Sequence, residues 1–354
     1  MKILVATTMY PNKYRTFSGI FIQKHVSILH ENFGIECLLA TGGGSNNSII
    51  LIIKKYFVLW CQIIWNLATK KVSLIHAHYS YPTGFFAWIG KCISGKILII
   101  TTHGSDIHDH NNRNFIAQYL NRVVLHSSDH IIAVSHDLKN AITESFDITS
   151  KKISVIDMGV DSTIFFPNNN ITKKETFTLL FVGRLSKEKG FDVLLGAIEL
   201  ISKKISSGLK CIVIGDGDKQ NQYQKNVKLK MLANHITFIG SQNQIQISKW
   251  MNQAHLVVIP SRKEGFGLVA IEALACGTPV IASKVGGLRE IIQDKINGYF
   301  ITPGEVGDLE EKIIFFMKNP NLIASEVCVE SISQFDAELK VNQLKDLYTT
   351  IIAS

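Results

Sequence analysis

Two sets of six short apolar runs, rich in isoleucine, valine and leucine, constrain the fold of this chain more than any other feature. The runs lack the alternation of apolar and polar residues that marks a strand with one wet face, so both faces of each predicted strand are covered. Helical patterns separate most of the runs, as in βαβ units with parallel strands. The predicted strands are 3–7, 35–40, 74–78, 98–102, 130–134 and 153–156, and then 178–182, 210–214, 236–239, 256–259, 280–282 and 298–301.

The two sets predict an α/β protein with two Rossmann-like, doubly wound domains. At 354 residues the chain is long for one such domain and suits two. A polar stretch with Pro167 and three asparagines separates the sets and is the best candidate for a linker. We predict one domain over 1–168 and another over 172–334, facing each other across a cleft. The last helix, 335–354, is expected to pack back on the first domain.

Composition narrows the class of protein. Hydrophobic residues make up 46% of the chain and charged residues 19%, which excludes a disordered protein. The net charge of +8 suits nucleic acid, an anionic membrane or a phosphorylated ligand, but no nucleic-acid motif is present, so we expect no nucleic-acid partner. Six scattered cysteines indicate reduced thiols, and the N-terminal run is too short for a signal peptide. We therefore expect a cytoplasmic protein.

The segment 49–67 is strongly apolar but is interrupted by Lys54 and Lys55. A membrane-spanning helix needs about 20 apolar residues with few charges, so we do not expect a span here. One interpretation is a helix packed on the sheet. The other is a helix in the plane of the membrane, with its lysines near anionic headgroups and Trp60 and Trp65 at the boundary. In that case the protein visits the inner face of the membrane.

A basic loop follows the first strand of the second set. In GRLSKEKG, residues 183–190, Arg184 and Lys189 stand five residues apart at a predicted strand end, where an open α/β sheet binds its ligands. Two fixed cations at this place would stabilise the negative charge of a departing diphosphate more in the transition state than in the ground state. The alternative is a solvated basic turn.

A glycine-rich segment, PSRKEGFGLVAIEALACGTPVIAS, occupies residues 260–283. Its loop leads into a predicted helix, and the N-terminus of a helix receives phosphate oxygens well. Glu264 lies in the loop, where it can reach sugar hydroxyls, and Glu272 lies about two turns into the helix, where it can reach ribose hydroxyls. The alternative roles are a helix-start acid and a salt-bridge partner. The backbone N–H groups at the helix start belong to Phe266, Gly267 and Leu268.

These segments closely resemble the retaining GT-B glycosyltransferases of family 4. The matching segments of the second half are GRLSKEKG, IGDGD, ITFIGSQ, PSRKEGFGLVAIEALACGTPVIAS and VGGLREII, in the family's order. In the first half HAHYSYPTGFFA, THGSD, SSDHIIAVSHDLK and VIDMGVDSTIFFP resemble parts of the family's acceptor domain. Two departures are mild: Asp157-Met158 replaces the more usual Pro-Asn, and Ser18 replaces one glycine of the N-terminal Gly-Gly loop. Gly19 alone is left for the close approach to the donor.

The resemblance implies a role for each matching residue of the second half. Arg184 and Lys189 would hold the diphosphate of a nucleotide-sugar donor, UDP- or GDP-linked. Glu264 would bind hydroxyls of the transferred sugar, and Glu272 would bind the ribose. Backbone amides would contact phosphate or sugar near Phe266, Gly267 and Leu268.

In the first half, the resemblance implies that His103 orients the donor sugar near the reacting carbon, with Asp106 as a weaker neighbouring candidate. It also implies catalysis without a metal or another cofactor, and retention of the anomeric configuration by front-face attack without an enzyme nucleophile. His76 and His78 invite a zinc site, but no cysteine or acidic partner completes a tetrahedral set, so we expect none.

The sequence therefore predicts a retaining glycosyltransferase that moves a hexose or N-acetylhexosamine to a glycan or lipid-linked acceptor. A role in bacterial surface polysaccharide or lipopolysaccharide synthesis follows from the family analogy. Two alternatives remain: a nucleotide-sugar epimerase of the same fold, and a catalytically silent protein that binds sugar nucleotides. An epimerase needs acid and base groups flanking the sugar C2, and no acidic pair is evident beyond Glu264.

Overall fold

The computed structural model of the chain describes residues 1–11, 18–42, 48–108, 114–173, 175–205 and 208–353. These residues form two compact units, which we call unit 1 and unit 2. Unit 1 contains Met1–Gly159 and the chain from Ala337 onward, and unit 2 is Val160–Asp336. The chain therefore passes from one unit to the other twice.

Unit 1 is built on a parallel sheet of six strands in the order β2-β1-β3-β4-β5-β6. The chain runs from β1 to its neighbour β2 and then to its other neighbour β3, so the strand order reverses between β1 and β3. Open α/β sheets bind ligands at such a point, beyond the carboxyl ends of the strands. The strands are β1 Lys2–Ala6, β2 Glu36–Ala40, β3 Leu74–His78, β4 Ile97–Thr102, β5 His130–Ala133 and β6 Ile153–Val155.

Helices connect these strands, and local signals fix where the helices begin and end. Gly34 takes a left-handed φ of 63° just after the first helix, a conformation that glycine adopts without strain. Ser135 Oγ accepts a hydrogen bond from the Leu138 N–H at the start of the sixth helix. The helices are α1 Ile20–Phe33, α2 Ile49–Thr69, α3 Thr83–Ser94, α4 Ser105–His108, α5 Phe115–Ser127 and α6 His136–Phe146.

Unit 2 repeats this architecture with the strand order β12-β11-β10-β7-β8-β9, which reverses between β7 and β10. Its strands are β7 Phe177–Val182, β8 Leu209–Ile214, β9 Ile236–Gly240, β10 Leu256–Ile259, β11 Val280–Ser283 and β12 Gly298–Ile301. Its helices are α7 Phe191–Ser202, α8 Gln220–Leu229, α9 Gln244–Gln253, α10 Leu268–Ala275, α11 Leu288–Ile291, α12 Val306–Lys318 and α13 Ser325–Glu330.

The predicted fold class is confirmed strand by strand. Each predicted strand is present, and its ends differ from the prediction by one residue at most. The pairing is parallel throughout both sheets, as the near-continuous apolar runs indicate. Buried isoleucine, valine and leucine side chains of the strands form much of a separate core in each unit.

The last helix, α14 Ala337–Ala353, belongs to unit 1, where it packs on α1. Val341 and Tyr348 are fully buried in the core of unit 1. Lys340 Nζ forms an ion pair with Asp157 Oδ1 at 2.6 Å, and both side chains are largely buried. The Tyr348 hydroxyl also makes a hydrogen bond with His76 of strand β3.

The boundary between the units differs from the predicted linker. Residues 160–168 belong to unit 2, although we predict that the first domain extends to 168. The polar composition of this stretch is typical of a linker, but its backbone groups find partners in unit 2. The hydrogen bonds are Val160 N–H to Phe335 O (2.8 Å), Ser248 Oγ to Ile164 O (2.7 Å) and Asn168 N–H to Asn252 Oδ1 (2.8 Å).

The apolar segment of unit 1 forms α2, which is packed on one face and exposed on the other. Leu59 and Ile63 are fully buried, whereas Phe57 is 59% and Trp65 is 68% exposed. Among the described residues, one helix is long and apolar enough to cross a membrane by length and composition, Ile50–Thr69, and 17% of its apolar window is buried. The packed face fits one of the two interpretations of this segment, and the exposed apolar face keeps the other open.

Candidate functional site

Candidate site residues gather at the carboxyl edge of each sheet, beside the point where the strand order reverses. In unit 2 the basic loop 183–190 follows β7, and the glycine-rich loop 260–267 follows β10. Because β7 and β10 are paired neighbours, the two loops leave the sheet side by side. The Arg262 N–H donates to Glu188 O at 2.7 Å and ties them together.

Gly190 explains how closely the two loops approach. Its φ is 70°, and a Cβ at this position would lie 1.9 Å from Pro260 O. Only glycine fits such a contact, since it has no Cβ and adopts positive φ without strain. The basic loop is therefore held against the glycine-rich loop by the shape of the backbone itself.

Lys189 and Glu264 are brought together as an ion pair. Lys189 Nζ lies 2.9 Å from Oε1 and 2.7 Å from Oε2 of Glu264, and Ser261 Oγ donates to Oε2 at 3.2 Å. The lysine side chain is 33% exposed and the glutamate side chain 13%. The sequence assigns these residues to different parts of a ligand, whereas the structure shows them neutralising each other.

Arg184 lies at the same edge with an exposed side chain. Within the described ranges its guanidinium forms no ion pair, in contrast to that of Arg262, which makes two bonds to the Asp192 carboxylate at 2.8 and 2.7 Å. Arg262 is therefore a structural cation that fixes the loop to α7. Arg184 is the cation that a bidentate anionic ligand can reach.

The helix start predicted near Gly267 is present. Gly267 precedes α10 with a left-handed φ of 113°. A neighbouring turn supports this loop, since a Cβ at Gly286 would lie 1.8 Å from Glu264 O. Glu264, which pairs with Lys189, lies four residues before the first residue of α10, and the N-terminus of a helix suits a phosphate.

Glu272 lies in the second turn of α10, closer to the helix start than the two turns predicted from the sequence. Burial raises the pKa of its carboxyl group to about 8, so Glu272 is largely protonated at neutral pH. A salt-bridge role does not suit this neutral, half-buried group. Its contact with ribose stays a prediction.

His103 lies at the carboxyl edge of unit 1, directly after β4. Its Nε2 is 3.1 Å from Nδ1 of His78, the last residue of the neighbouring strand β3. Aromatic rings surround it, with centroid distances of 5.2 Å to Phe21 and 4.6 Å to Tyr79. Burial lowers the pKa of His103 to about 3, so its imidazole is neutral at physiological pH.

Asp106, the weaker neighbouring candidate, binds backbone and side-chain groups of unit 1. It is fully buried, and Oδ1 accepts the N–H groups of His103 and Gly104, both at 3.0 Å. Oδ2 accepts the N–H and the Oγ–H of Ser80 at 3.0 and 3.2 Å. The carboxylate therefore joins the loops after β3 and β4 and fixes the backbone of His103.

His76 is also engaged by its own unit. Its Nδ1 lies 2.5 Å from the Tyr348 hydroxyl, and its Nε2 lies 2.6 Å from Thr101 Oγ1. Burial lowers the pKa of His76 to about 3 and that of His25 to about 4. In the part of the chain that the structure describes, no group of three or more histidine, cysteine or acidic residues is placed to hold a metal ion.

Gly19 has a structural reason to be glycine. It precedes α1 with φ 69°, and a Cβ there would lie 2.0 Å from Met9 O. The loop after β1 therefore needs this glycine to fold. The contact of Gly19 with a donor, which the resemblance implies, stays a prediction.

His78, Tyr79 and Tyr348 are the neighbours of the candidate site that sequence reasoning missed. The His-x-His spacing at 76 and 78 places both histidines on one face of a strand, but we considered it only as a metal motif. Because the strand is buried, both histidines need hydrogen-bond partners, which are His103 for His78 and Tyr348 and Thr101 for His76. Tyr348 is distant in sequence, and no local pattern connects it with this edge.

Comparison with known proteins identifies the class to which this arrangement belongs. The family model described as "Glycosyl transferases group 1" matches residues 162–331, and the model described as "Glycosyltransferase Family 4" matches residues 45–163. An uncharacterised glycosyltransferase of Methanocaldococcus jannaschii is 34% identical over 72% of this chain and 68% of its own length. The chain belongs to the family 4 glycosyltransferases and is a transferase enzyme.

Two further proteins show how far the similarity extends. The N-acetyl-alpha-D-glucosaminyl L-malate synthase of Bacillus anthracis is 28% identical over 80% of this chain and 76% of its own length. The crystal structure of Anabaena HepE in complex with UDP-glucose matches with a TM-score of 0.80 and 19% identity, covering 99% of this chain and 100% of that one. The second comparison shows the fold, GT-B, with its two Rossmann-like domains.

Proposed function

We propose that this enzyme transfers a hexose or N-acetylhexosamine from a UDP- or GDP-sugar to a glycan or lipid-linked acceptor, with retention of configuration. The observation that carries the proposal is the group at the carboxyl edge of unit 2: Arg184, Lys189, Glu264 and the start of α10. The structure of Anabaena HepE with UDP-glucose favours a UDP-linked donor, and the name N-acetyl-alpha-D-glucosaminyl L-malate synthase favours an N-acetylhexosamine as the transferred sugar.

The charges of this group suit a departing nucleoside diphosphate. As the bond between the sugar C1 and the phosphate oxygen breaks, the electron pair goes to that oxygen. Arg184 and Lys189 stabilise the developing charge, and the N–H groups at the start of α10 add donors. Lys189 then exchanges part of its bond to Glu264 for the phosphate, and the carboxylate turns to a sugar hydroxyl.

Retention is proposed to follow from attack on the same face of the sugar that the diphosphate leaves. The acceptor oxygen bonds to C1, and its proton passes to the departing phosphate oxygen, so no enzyme base is required. His103 is neutral and is proposed to orient the sugar by a hydrogen bond. No step requires a metal ion or another cofactor.

A product assay with candidate UDP- and GDP-sugars tests the reaction. Thermal shift first identifies the nucleotide sugar that stabilises the protein, since a ligand of the folded state raises its melting temperature. NMR of the product from that donor then gives the anomeric configuration, and chelator is included to test metal independence. An inverted product or loss of activity with chelator would contradict the proposed mechanism.

The same assay separates the two alternatives. Incubation of the donor without acceptor yields an epimerised nucleotide sugar if the protein is an epimerase. A silent binding protein gives a thermal shift without any turnover across a panel of glycan and lipid-linked acceptors. Transfer to any member of that panel supports the glycosyltransferase.

A membrane-bound acceptor is the second part of the proposal, and the exposed face of unit 1 supports it. The first turns of α2 expose Ile50, Ile53 and Phe57, at 72, 64 and 59%. The first turns of α5 expose Phe115, Ile116 and Tyr119, at 80, 68 and 60%. Both helices begin at the carboxyl edge of the sheet, the edge that carries His103.

The charge around this surface favours an anionic membrane. Residues 37–105 contain no aspartate or glutamate and include six lysines, of which Lys54 is exposed in the first turns of α2 beside Ile53. Exposed apolar side chains beside lysines are typical of proteins that rest on anionic lipid. We therefore propose that the enzyme works in the cytoplasm at the inner face of the membrane, in the synthesis of surface polysaccharide or lipopolysaccharide.

Flotation of the full-length chain with vesicles tests the membrane contact. We expect binding at low salt to vesicles that contain phosphatidylglycerol, and weaker binding to phosphatidylcholine alone. The triple variant Ile50→Ser, Ile53→Ser, Phe57→Ser should lose this binding. The matched control changes two exposed apolar residues of unit 2, Leu229→Ser and Met231→Ser, and should bind normally. Absence of binding by the unmodified chain would refute the proposal.

A further inference from the structure

His78 contacts the His103 ring directly, although the reaction proposed above gives His78 no role. His78 is 4% exposed, and its ring stacks on that of His103 with centroids 5.3 Å apart. The Nδ1–Nε2 contact of 3.1 Å is the hydrogen bond that the described residues make to the His103 side chain. The Nε2 edge of His103 is therefore occupied, and none of the described residues makes a hydrogen bond to its Nδ1.

Two neutral imidazoles in contact constrain each other's tautomer. Burial lowers the pKa of His78 well below its ordinary value, as it does for His103, so each ring carries a single N–H. One hydrogen bond needs one donor and one acceptor. If His78 Nδ1 donates to His103 Nε2, the proton of His103 lies on its Nδ1, which is then a donor. If His103 Nε2 donates to His78 Nδ1, the Nδ1 of His103 carries no proton and is an acceptor.

We propose that His78 is a positioning residue for the donor sugar: it fixes the tautomer of His103 and leaves Nδ1 as the atom that hydrogen-bonds a sugar hydroxyl. The inference rests on the proposed function, in that His103 addresses the transferred sugar. His78 itself touches no reacting atom. Its effect is to decide whether His103 offers the sugar a donor or an acceptor.

The surroundings of His78 hold its ring in place. The ring of His76 packs against it with centroids 4.5 Å apart. His76 is in turn bound on both nitrogens, by the Tyr348 hydroxyl and by Thr101 Oγ1. A rotation of His78 would therefore have to disturb a pair of buried hydrogen bonds as well as its own contact with His103.

The backbone beside His78 is fixed under strain. Tyr79 has a φ of 73°, in the left-handed region, which is strained for a non-glycine residue. The conformation is held by two hydrogen bonds, from the Tyr79 N–H to Thr101 O at 2.8 Å and from the Gly84 N–H to Tyr79 O at 3.0 Å. It places the Tyr79 ring against His103, on which His78 and Phe21 also pack.

NMR of the free, full-length protein tests the tautomer directly. Long-range ¹H–¹⁵N correlation of the imidazoles should show one neutral tautomer of His103 in the unmodified protein. His78→Phe keeps an aromatic ring but removes the nitrogen, and His103 should then give the averaged shifts of two tautomers. His130→Phe is the matched control in the same sheet and should leave His103 unchanged. A single, unchanged tautomer in His78→Phe would overturn the proposal.

Kinetics separate positioning from a merely structural role. His78→Phe should lower kcat/KM for the donor sugar by about 10- to 100-fold, the usual loss when a residue that orients an active group is removed. The Kd of UDP should stay within about twofold, because His103 addresses the sugar and not the nucleotide. His78→Asn, whose amide can replace Nδ1 as a hydrogen-bonding group, should recover at least part of the loss.

The outcomes separate the two proposals. If kcat/KM and UDP affinity fall together in His78→Phe, or if His78→Asn is no better, His78 is structural and the inference fails. If the unmodified chain transfers no sugar with any donor, the proposed function fails, and the NMR experiment still decides whether His78 fixes the tautomer of His103.

Discussion

The two candidate clusters use opposite physical means to hold their side chains. In unit 1 the histidines are neutral and buried, with His76 2% and His78 4% exposed. In unit 2 the side chains are charged and partly solvated, with Lys189 33% exposed and paired with Glu264. The first cluster is arranged by folding alone. In the second, we propose that the charges exchange partners when an anionic ligand arrives, so that this cluster responds to a diphosphate.

Mild acid should destabilise unit 1 more than unit 2. Burial lowers the pKa of four histidines in the unit 1 cluster, whereas in the described part of unit 2 it lowers the pKa of His255. A histidine whose pKa is lowered by folding binds a proton in the unfolded chain at a higher pH than in the folded protein, so acid favours unfolding. With an unfolded pKa of about 6.5 and lowered folded values, each such histidine loses about 1.4 kcal/mol of stability per pH unit as the pH falls below 6.5. Because the slope reaches this value only well below pH 6.5, His25, His76, His78 and His103 together predict a loss of about 4 kcal/mol between pH 6.5 and 5.5.

Hydrogen exchange at pH 6.5 and 5.5, read separately for the two units, measures this effect. After correction for the intrinsic exchange rate, amides of β3 and β4 should lose protection in acid, while those of β7 and β10 keep most of theirs. His76→Phe removes one of the four histidines and should reduce the pH dependence of the stability of unit 1 by about a quarter. Equal acid sensitivity of both units would contradict the contrast.

The second prediction concerns the charged cluster. Lys189→Ala and Arg184→Ala should each lower kcat by about 10²-fold or more, because a donor aimed at the leaving group is removed. The Lys187→Ala variant changes an exposed lysine of the same loop and is the matched control, expected to turn over normally. Normal turnover in both test variants would remove the role that we assign to these cations.

The fold and the unit 2 cluster were accessible from the sequence because their signals are local. Strands appear as continuous apolar runs, and the basic and glycine-rich loops follow β7 and β10 directly. The direct pairing of Lys189 with Glu264 was not accessible. It depends on β10 returning beside β7, a pairing between segments about 75 residues apart.

The unit 1 cluster was harder to predict because its contacts are set by distant packing. His103 was identified from its position at a strand end and from the family resemblance, whereas the hydrogen bonds of the Asp106 carboxylate within unit 1 were not predicted. The bond between His76 and Tyr348 joins residues 272 positions apart. The linker was also misplaced, since the polar residues after Val160 satisfy their backbone groups on unit 2.

Third, Gly190→Ala should disturb the charged cluster without removing a charge. The new Cβ would meet Pro260 O, and the positive φ is strained for alanine, which predicts a loss of about 1–3 kcal/mol in stability. Gly208→Ala is the control, since Gly208 also has positive φ but nothing lies within 4 Å of an added Cβ. Urea unfolding of both variants separates crowding from strain; an equal loss in the two would show that the loop contact is unimportant.

The smallest expected effect concerns Glu272, a group of unit 2 that, like the histidines of unit 1, is uncharged at neutral pH. Glu272 is half-buried, and desolvation raises the pKa of its carboxyl group to about 8. If ribose hydroxyls donate to its carboxylate, nucleotide binding must release that proton. UDP affinity measured by calorimetry should therefore rise with pH, by at most about tenfold per unit, and level off above pH 8. Glu272→Gln cannot ionise and should bind UDP with the same affinity from pH 7 to 9. If the UDP affinity of the unmodified enzyme does not change with pH, Glu272 does not bind the ribose as a carboxylate. Glu272 would then stay neutral whether or not the nucleotide is bound, as the histidines of unit 1 are expected to do.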